Sequence, residues 1–210
     1  MMRCPLSICR PIAMALCAAA LAVGTATAGE RLSRDASSVI GKIRASHDHG
    51  GRPFAIIDKK QARVLVFDSQ GNLLGDSAVL LGKARGDASV PGIGEKKMAD
   101  IQPHERTTPA GRFVSEPGRN LQGEDIVWID YDAAVSMHRV RANNKAERRL
   151  ERLASVTAAD NRISYGCVNV PAAFYDRFIK PSFGDAKALI YVLPETRAAE
   201  TILAKAPSDH

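Results

Sequence analysis

Between Phe54 and Leu81 three apolar runs follow one another, joined by links too short for a crossover. Phe54-Ala55-Ile56-Ile57-Asp58 leads through Lys59-Lys60-Gln61 into Ala62 to Asp68, and Ser69-Gln70-Gly71-Asn72 leads into Leu73 to Leu81. Links of this length join neighbouring antiparallel strands, so the segment predicts a β-meander. The β pattern continues. Thr108-Pro109-Ala110-Gly111-Arg112-Phe113 is a Pro/Gly turn entering a strand, and Asp125 to Asp130, Ala134 to Val140 and Lys187 to Leu193 are further strands. Helices are few. Asn143 or Asn144 caps Lys145 to Ala154, whose Ala146, Leu150, Leu153 and Ala154 lie opposite a dense Arg/Glu face, as in a solvated surface helix. Pro171 opens a second helix running to Ile179, and residues 195–206 form a third. One mostly-β domain with peripheral helices over 53–194, with a C-terminal helix or tail over 195–210, accounts for the pattern.

The Gly-rich stretch 82–94 has neither a GKS/T ending nor a GxGxxG spacing, so it is no phosphate loop. Residues 29–52 read as a leader or linker in which Asp35 caps a short helix carrying Val39, Ile40 and Ile43. His47 and His49 there have no third ligand nearby and read as solvated loop, so no metal site is expected.

The first 28 residues have a different character. Arg3 and Arg10 make a basic start, Ile12 to Val23 is an uncharged apolar run, and Ala26-Thr27-Ala28 has the small-x-small spacing of a cleavage site. This is the layout of a secretory signal peptide over 1–28. The run is short for a membrane span, and Leu16 is large for the residue before a lipidated cysteine at Cys17. The expectation is an exported protein of the periplasm or cell envelope, with no transmembrane span after cleavage. The formal charge of +6 then becomes +4, from 27 basic and 23 acidic residues. That excess suits contact with an anionic polymer without requiring it, and no nucleic acid is expected as partner. At 45% hydrophobic residues the chain is too apolar to be disordered.

Removal of the signal peptide takes away Cys4, Cys9 and Cys17 and leaves one cysteine, Cys167. A lone thiol in an oxidising compartment is ordinarily a buried, inert small hydrophobe. Its neighbours favour another role. In Arg162-Ile163-Ser164-Tyr165-Gly166-Cys167-Val168-Asn169-Val170-Pro171 the cysteine stands between a strand end and a helix opening at Pro171. Gly166 leaves room for a substrate. Successive backbone N–H groups of such a turn can meet at one oxyanion, and a nearby helix N-terminus favours a thiolate. Upstream, Val135-Ser136-Met137-His138-Arg139-Val140 puts a histidine late in a β run, as a general base for Cys167.

Ser164-Tyr165-Gly166-Cys167-Val168-Asn169 with His138 upstream resembles the active-site signature of the YkuD-type L,D-transpeptidases. Thr108-Pro109-Ala110-Gly111-Arg112-Phe113 resembles an earlier Thr-Pro-x-Gly-x-Phe element of that family, and the resemblance covers roughly residues 54–194. It implies a β-sandwich or barrel with peripheral helices, acting without metal or organic cofactor on peptidoglycan stem peptides. Cys167 would take the acyl group, releasing a terminal D-alanine, and pass it to an amine on a second stem or on a protein. His138 would be the base, oriented by the backbone carbonyl of Arg139. The backbone N–H groups of Tyr165, Gly166 and Cys167 would hold the oxyanion, and Ser164, Asn169 and Trp128 would contact substrate.

This chain departs from the family pattern twice. Tyr165 stands where the family usually has histidine, and the 25 residues between His138 and Ser164 exceed the usual spacer. The surplus is the charged helix near 145–154, expected as a surface excursion, with a lid over the cleft as the alternative. Two other functions fit the same residues. One is an L,D-carboxypeptidase or hydrolase using water as acceptor; the other is an inactive cell-wall-binding relative.

Overall fold

The computed structural model describes Met1 and residues 32–203. The expected signal peptide, Met1 apart, and residues 204–210 of the expected tail lie outside the described residues. The chain from Leu32 onward is one compact unit.

The meander forms as β1 (Phe54–Asp58), β2 (Arg63–Phe67) and β3 (Leu73–Ala78). The third run does not continue to Leu81 as one strand. After Ala78 one more bond in the same register, Val79 N–H to the Ala62 carbonyl at 2.9 Å, ends the pairing, and Leu80 turns away before the two-residue β4 (Leu81–Gly82). The remaining strands are β5 (Gly111–Arg119), β6 (Asp125–Asp130), β7 (Val135–Arg139), β8 (Arg162–Ser164), β9 (Val168–Val170) and β10 (Ala188–Val192). Eight of them make one sheet in the order β3-β2-β1-β10-β5-β6-β7-β9, while β4 pairs with β8. The β1–β10 and β7–β9 pairs are parallel and the other pairs of the large sheet antiparallel.

The sheet curls until its two ends meet. Leu80, just past β3 at one edge, exchanges both backbone hydrogen bonds with Asn169 of β9 at the other, at 2.8 and 2.9 Å. Closure gives the edges partners and makes an interior. Ala55 and Ile57 of β1, with Val64, Val127, Met137, Val168 and Ile190, fill that interior. Alternate residues of the same strands, Phe54, Ile56, Leu65, Phe67 and Tyr191, point outward and are also buried. A strand covered on both faces loses the polar alternation of a half-exposed one, which is why β1 reads as a continuous apolar run.

The outer cover is α1 (Arg34–Ser46), which buries Ala36, Val39, Ile40 and Ile43 at helical spacing against β1, β2 and β10. Val39, Ile40 and Ile43 each contribute about 1.5–3 kcal/mol on leaving water. The helix expected within 29–52 is thus present. Its cap, however, is Ser33, whose hydroxyl accepts from Ala36 N–H at 3.0 Å, while Asp35 lies inside the first turn and pairs with Lys60. The first and last described elements meet here, since the 3-10 turn Ala199–Leu203 adds Ala199 and Ile202 to the same cluster. The helix after Pro171 consists of Ala172–Phe174, a π turn Tyr175–Ile179 and Lys180–Phe183, together α3. Among the described residues no helix is long and apolar enough to cross a membrane.

One link of the meander carries more than a turn. Lys59 is buried, and its ammonium donates to the Thr108 carbonyl at 3.0 Å, to Asp87 at 3.1 Å and to the Gly86 carbonyl. Glu195, itself paired with Arg162, lies 3.9 Å away. Burial pulls the Lys59 ammonium below its ordinary range, while Asp87 and Glu195 oppose that. The cluster therefore joins β1, the loop at 86–87 and the turn before β5. Removing one member of a buried charge network leaves the others uncompensated, so Lys59→Ala is expected to cost about 3–5 kcal/mol. Urea denaturation of the two proteins measures this directly.

Candidate active site

The turn between β8 and β9, residues 165–167, is held in an unusual shape. Gly166 has φ +134°, and a Cβ there would stand 2.9 Å from the Thr107 carbonyl oxygen. Both the conformation and the close approach require glycine. The Thr108 hydroxyl donates to the Gly166 carbonyl at 2.7 Å and accepts from Gly82 N–H at 2.9 Å. From the other side, the Ser164 hydroxyl donates to the Cys167 carbonyl at 2.6 Å and accepts from Gly166 N–H at 3.1 Å. Ser164 thus braces the turn.

Cys167 is half-buried with its sulfur toward β7. Ser136 N–H lies 3.5 Å from Sγ, the Ser136 hydroxyl 3.6 Å and the Ala134 carbonyl 3.7 Å. Burial pushes the thiol up, but the hydrogen bond and charge of His138 and the two donors of Ser136 outweigh it. The net displacement is below the ordinary 9.0. The parallel β7–β9 register sets His138 beside Asn169 and Met137 beside Val168. Side chains two apart on a strand share a face, so Ser136 and His138 lie along one side of β7, with Asn169 next to the histidine. His138 Nδ1 lies 2.8 Å from the Arg139 carbonyl. A carbonyl can only accept, so Nδ1 carries the proton and Nε2 of the neutral ring has the lone pair. Asn169 Nδ2 lies 3.3 Å from that Nε2 and 3.3 Å from the Cys167 carbonyl.

These groups open into a cleft of about 560 Å³, lined also by Trp128, Tyr165, Met98, Leu121 and Arg119. Trp128 of β6 is the cross-strand partner of Ser136 and packs edge-on to Tyr131. Cys167, His138, Ser164, Tyr165, Asn169 and Trp128, all singled out in the sequence, therefore line one cavity. Gly166 behaves differently from its expected role. Its N–H is taken by Ser164, whereas the N–H groups of Tyr165 and Cys167 have no partner among the described residues. The Tyr165 ring lies under the Arg106 guanidinium, 3.8 Å from centroid to carbon, and Arg106 in turn bonds the Ile101 carbonyl at 3.0 Å. The phenol hydroxyl has no hydrogen bond among the described residues. Among those residues, too, no three His, Cys, Asp or Glu side chains gather as metal ligands would.

The surplus between His138 and Ser164 is a wall of the cleft. It is a 3-10 turn, Lys145–Glu147, capped by Asn144, then Arg148 at φ 50° and α2 (Arg149–Ala154). The expected facing is inverted: Leu150, read as part of the apolar side, is exposed, while Arg149 of the charged face has only 13% of its side chain exposed. Asn143, Asn144, Glu147 and Arg149 face the cavity. Arg149 pairs with Glu147 and donates to Asn169 Oδ1, each at 2.5 Å. Sequence reasoning missed Ser136, Thr108 and Arg149. The two-residue spacing of Ser136 and His138 was a usable signal, and the other two depend on tertiary contacts.

Thiol reactivity is the direct readout. Alkylation of Cys167 followed against pH is expected to have a midpoint below that of an ordinary cysteine. In His138→Ala the midpoint should rise, because burial then acts with less opposition.

No family model matches the sequence, and no curated protein matches it. Solved structures to which the chain is similar include the helical cell shape determining protein Pgp2 from Campylobacter jejuni. That pair is 12% identical with a TM-score of 0.45, over 70% of this chain and 49% of the other. The catalytic domain of the E. faecium L,D-transpeptidase is 17% identical with a TM-score of 0.37, over 68% of this chain and 98% of that one. An L,D-transpeptidase (Yku) from Stackebrandtia nassauensis is 14% identical with a TM-score of 0.36, over 69% and 56% of the respective chains. The chain spans about half the length of the Campylobacter protein.

Proposed function

We propose that the protein is an exported cysteine L,D-transpeptidase acting on peptidoglycan stem peptides. The observation that carries this reading is the Cys167–His138 arrangement. A half-buried thiol, held low by its neighbours, shares a cleft with an imidazole whose Nδ1–H is spent on the Arg139 carbonyl and whose Nε2 has the lone pair. The sequence motif around Cys167 gives the substrate class, and the expected signal peptide gives the compartment.

In the first half-reaction His138 Nε2 takes the thiol proton and Cys167 sulfur attacks the carbonyl that precedes the terminal D-alanine. The oxyanion forms near the free N–H groups of Tyr165 and Cys167, which are the donors this turn leaves available. Collapse breaks the peptide bond, and the proton on Nε2 passes to the departing amine, leaving a thioester on Cys167. In the second half-reaction an acceptor amine attacks the thioester and gives its proton to Nε2. Collapse then forms the new amide and releases the Cys167 thiolate, which the imidazolium reprotonates. Every step needs one base atom and one sulfur, and no metal or organic cofactor enters the scheme.

Incubation with a disaccharide-tetrapeptide followed by intact-mass analysis tests the reading. Loss of alanine with an acyl adduct on Cys167, and a cross-linked product once an amine is present, is the expected result. Free tripeptide alone would make the protein a carboxypeptidase. No adduct, with Cys167 still open to alkylation, would leave the wall-binding alternative.

Cys167→Ala is expected to abolish turnover with the fold intact, and His138→Ala to lower kcat/KM by on the order of 10²–10⁴-fold. Tyr165→Phe keeps the ring under Arg106 and removes only the unbonded hydroxyl, so its kcat/KM should stay within about tenfold of the parent, ~1.4 kcal/mol of barrier. A loss on the order of 10²-fold would instead mark the phenol as an oxyanion donor.

A further inference from the structure

The insertion that walls the cleft contributes one cation to the neighbourhood of the base, and donor arithmetic fixes what that cation does. A guanidinium can only donate, so the Asn169 atom 2.5 Å from Arg149 Nη1 is the amide oxygen. The amide nitrogen is thereby turned the other way, to 3.3 Å from His138 Nε2. A carboxamide nitrogen can also only donate. Its partner Nε2 must then present a lone pair, which agrees with the proton on Nδ1 that the Arg139 carbonyl demands. Arg149 is mostly buried, with 13% of its side chain exposed, and Glu147 fixes its other edge at 2.5 Å. Asn169 is buried and cannot swing into solvent.

We propose that Arg149 is a positioning residue for His138: by pinning the Asn169 amide with its oxygen outward, it keeps an N–H donor against Nε2 and so holds the imidazole as a neutral base between turnovers. The proposal rests on the reading of His138 as the general base. Were the amide to turn over, Oδ1 would face Nε2 and would accept from a protonated ring. It would then retain the proton that the leaving amine needs. With Arg149 in place, an imidazolium N–H meets another donor and is driven to give its proton away. The Asn169 contact is long enough to yield to the thiol when Cys167 is deprotonated.

Other charged or titratable groups line the same cleft, the Tyr165 phenol among them. Cys167 comes from the β8–β9 turn, Glu147 and Arg149 from the insertion, and Arg119 and Arg141 from elsewhere in the cleft wall. Arg139, on the same strand, turns its guanidinium to Asp125 and Asp176. Removing Arg149 therefore also changes the local charge, and the test has to separate charge from amide orientation.

The experiment follows the His138 ring nitrogens by ¹⁵N NMR through a pH titration, in a Cys167→Ser background that removes the coupled thiol. Arg149→Met is expected to raise the titration midpoint by about one pH unit, since a freed amide oxygen now supports the protonated ring. Arg149→Lys, which keeps a donor at Oδ1, should restore the parental midpoint. In an Asn169→Leu background, Arg149→Met should no longer move the midpoint. An unchanged midpoint in Arg149→Met alone overturns the proposal. So does an equal shift in the Asn169→Leu background, which would reduce Arg149 to a through-space charge. Turnover adds a second arm in the Cys167 protein: Arg149→Met should lower kcat about 10–100-fold with KM within about twofold, and Arg149→Lys should recover most of it. A raised KM with parental kcat would make Arg149 a substrate contact and overturn the proposal. The titration needs no substrate, so its outcome is independent of whether the protein is a transpeptidase.

Discussion

The Thr108 hydroxyl joins three segments that the chain leaves far apart. It accepts from Gly82 N–H and donates to the Gly166 carbonyl, while the Thr108 carbonyl takes the Lys59 ammonium. Thr108 is fully buried, so none of these groups has water as an alternative. Losing the hydroxyl strands a buried N–H and a buried carbonyl, each at roughly 1–3 kcal/mol. The shape of the turn that presents Cys167 thus depends on a side chain nearly sixty positions earlier, and on a buried cation beyond it. This gives the Thr-Pro-x-Gly-x-Phe element a physical task. Its threonine supports the turn that carries Cys167 from beneath, and its proline and glycine release the chain into β5.

How much of this was legible depends on which force set each feature. β1, β2, β6 and β7 were readable because their apolar runs end at turn residues, a local signal that the sheet merely enforces. The division of the third run at Val79 was not, because Leu80 leaves its ladder to pair with Asn169 nearly ninety residues on. Lys59 and Lys60 are adjacent and chemically identical, yet one is buried among acids and the other pairs with Asp35 at the surface. No local pattern separates them. The segment 145–154 was legible as helical, but not which side faces the protein, since Leu150 is exposed and Arg149 turns inward. Its break at Arg148 arises from a residue at φ 50°, next to an arginine held by Glu147 and Asn169.

At the candidate site the division is similar. Cys167, His138, Ser164 and Asn169 were found by motif and strand position, and the curled sheet brings them to one cavity. The free N–H groups of the turn were only partly legible. A turn rich in N–H groups is visible in the sequence, but which N–H remains free is decided by the Ser164 hydroxyl. Tyr165 is explained by a partner rather than by the site's chemistry, because Arg106 supplies a cation over its ring.

The parallel pairing of β7 with β9 has a consequence for how such a site can change over time. Adjacent parallel strands must be joined by a long excursion, and here that excursion is the segment holding the insertion. The separation of imidazole and sulfur, however, is set by strand register, with His138 beside Asn169 and the cysteine just ahead of β9. Register does not depend on how long the excursion is or what it contains. The connecting segment can therefore be lengthened, shortened or rewritten while His138 and Cys167 keep their spacing. What each rewriting alters is the company kept by Asn169, whose amide lies between Arg149 of the loop and the His138 ring.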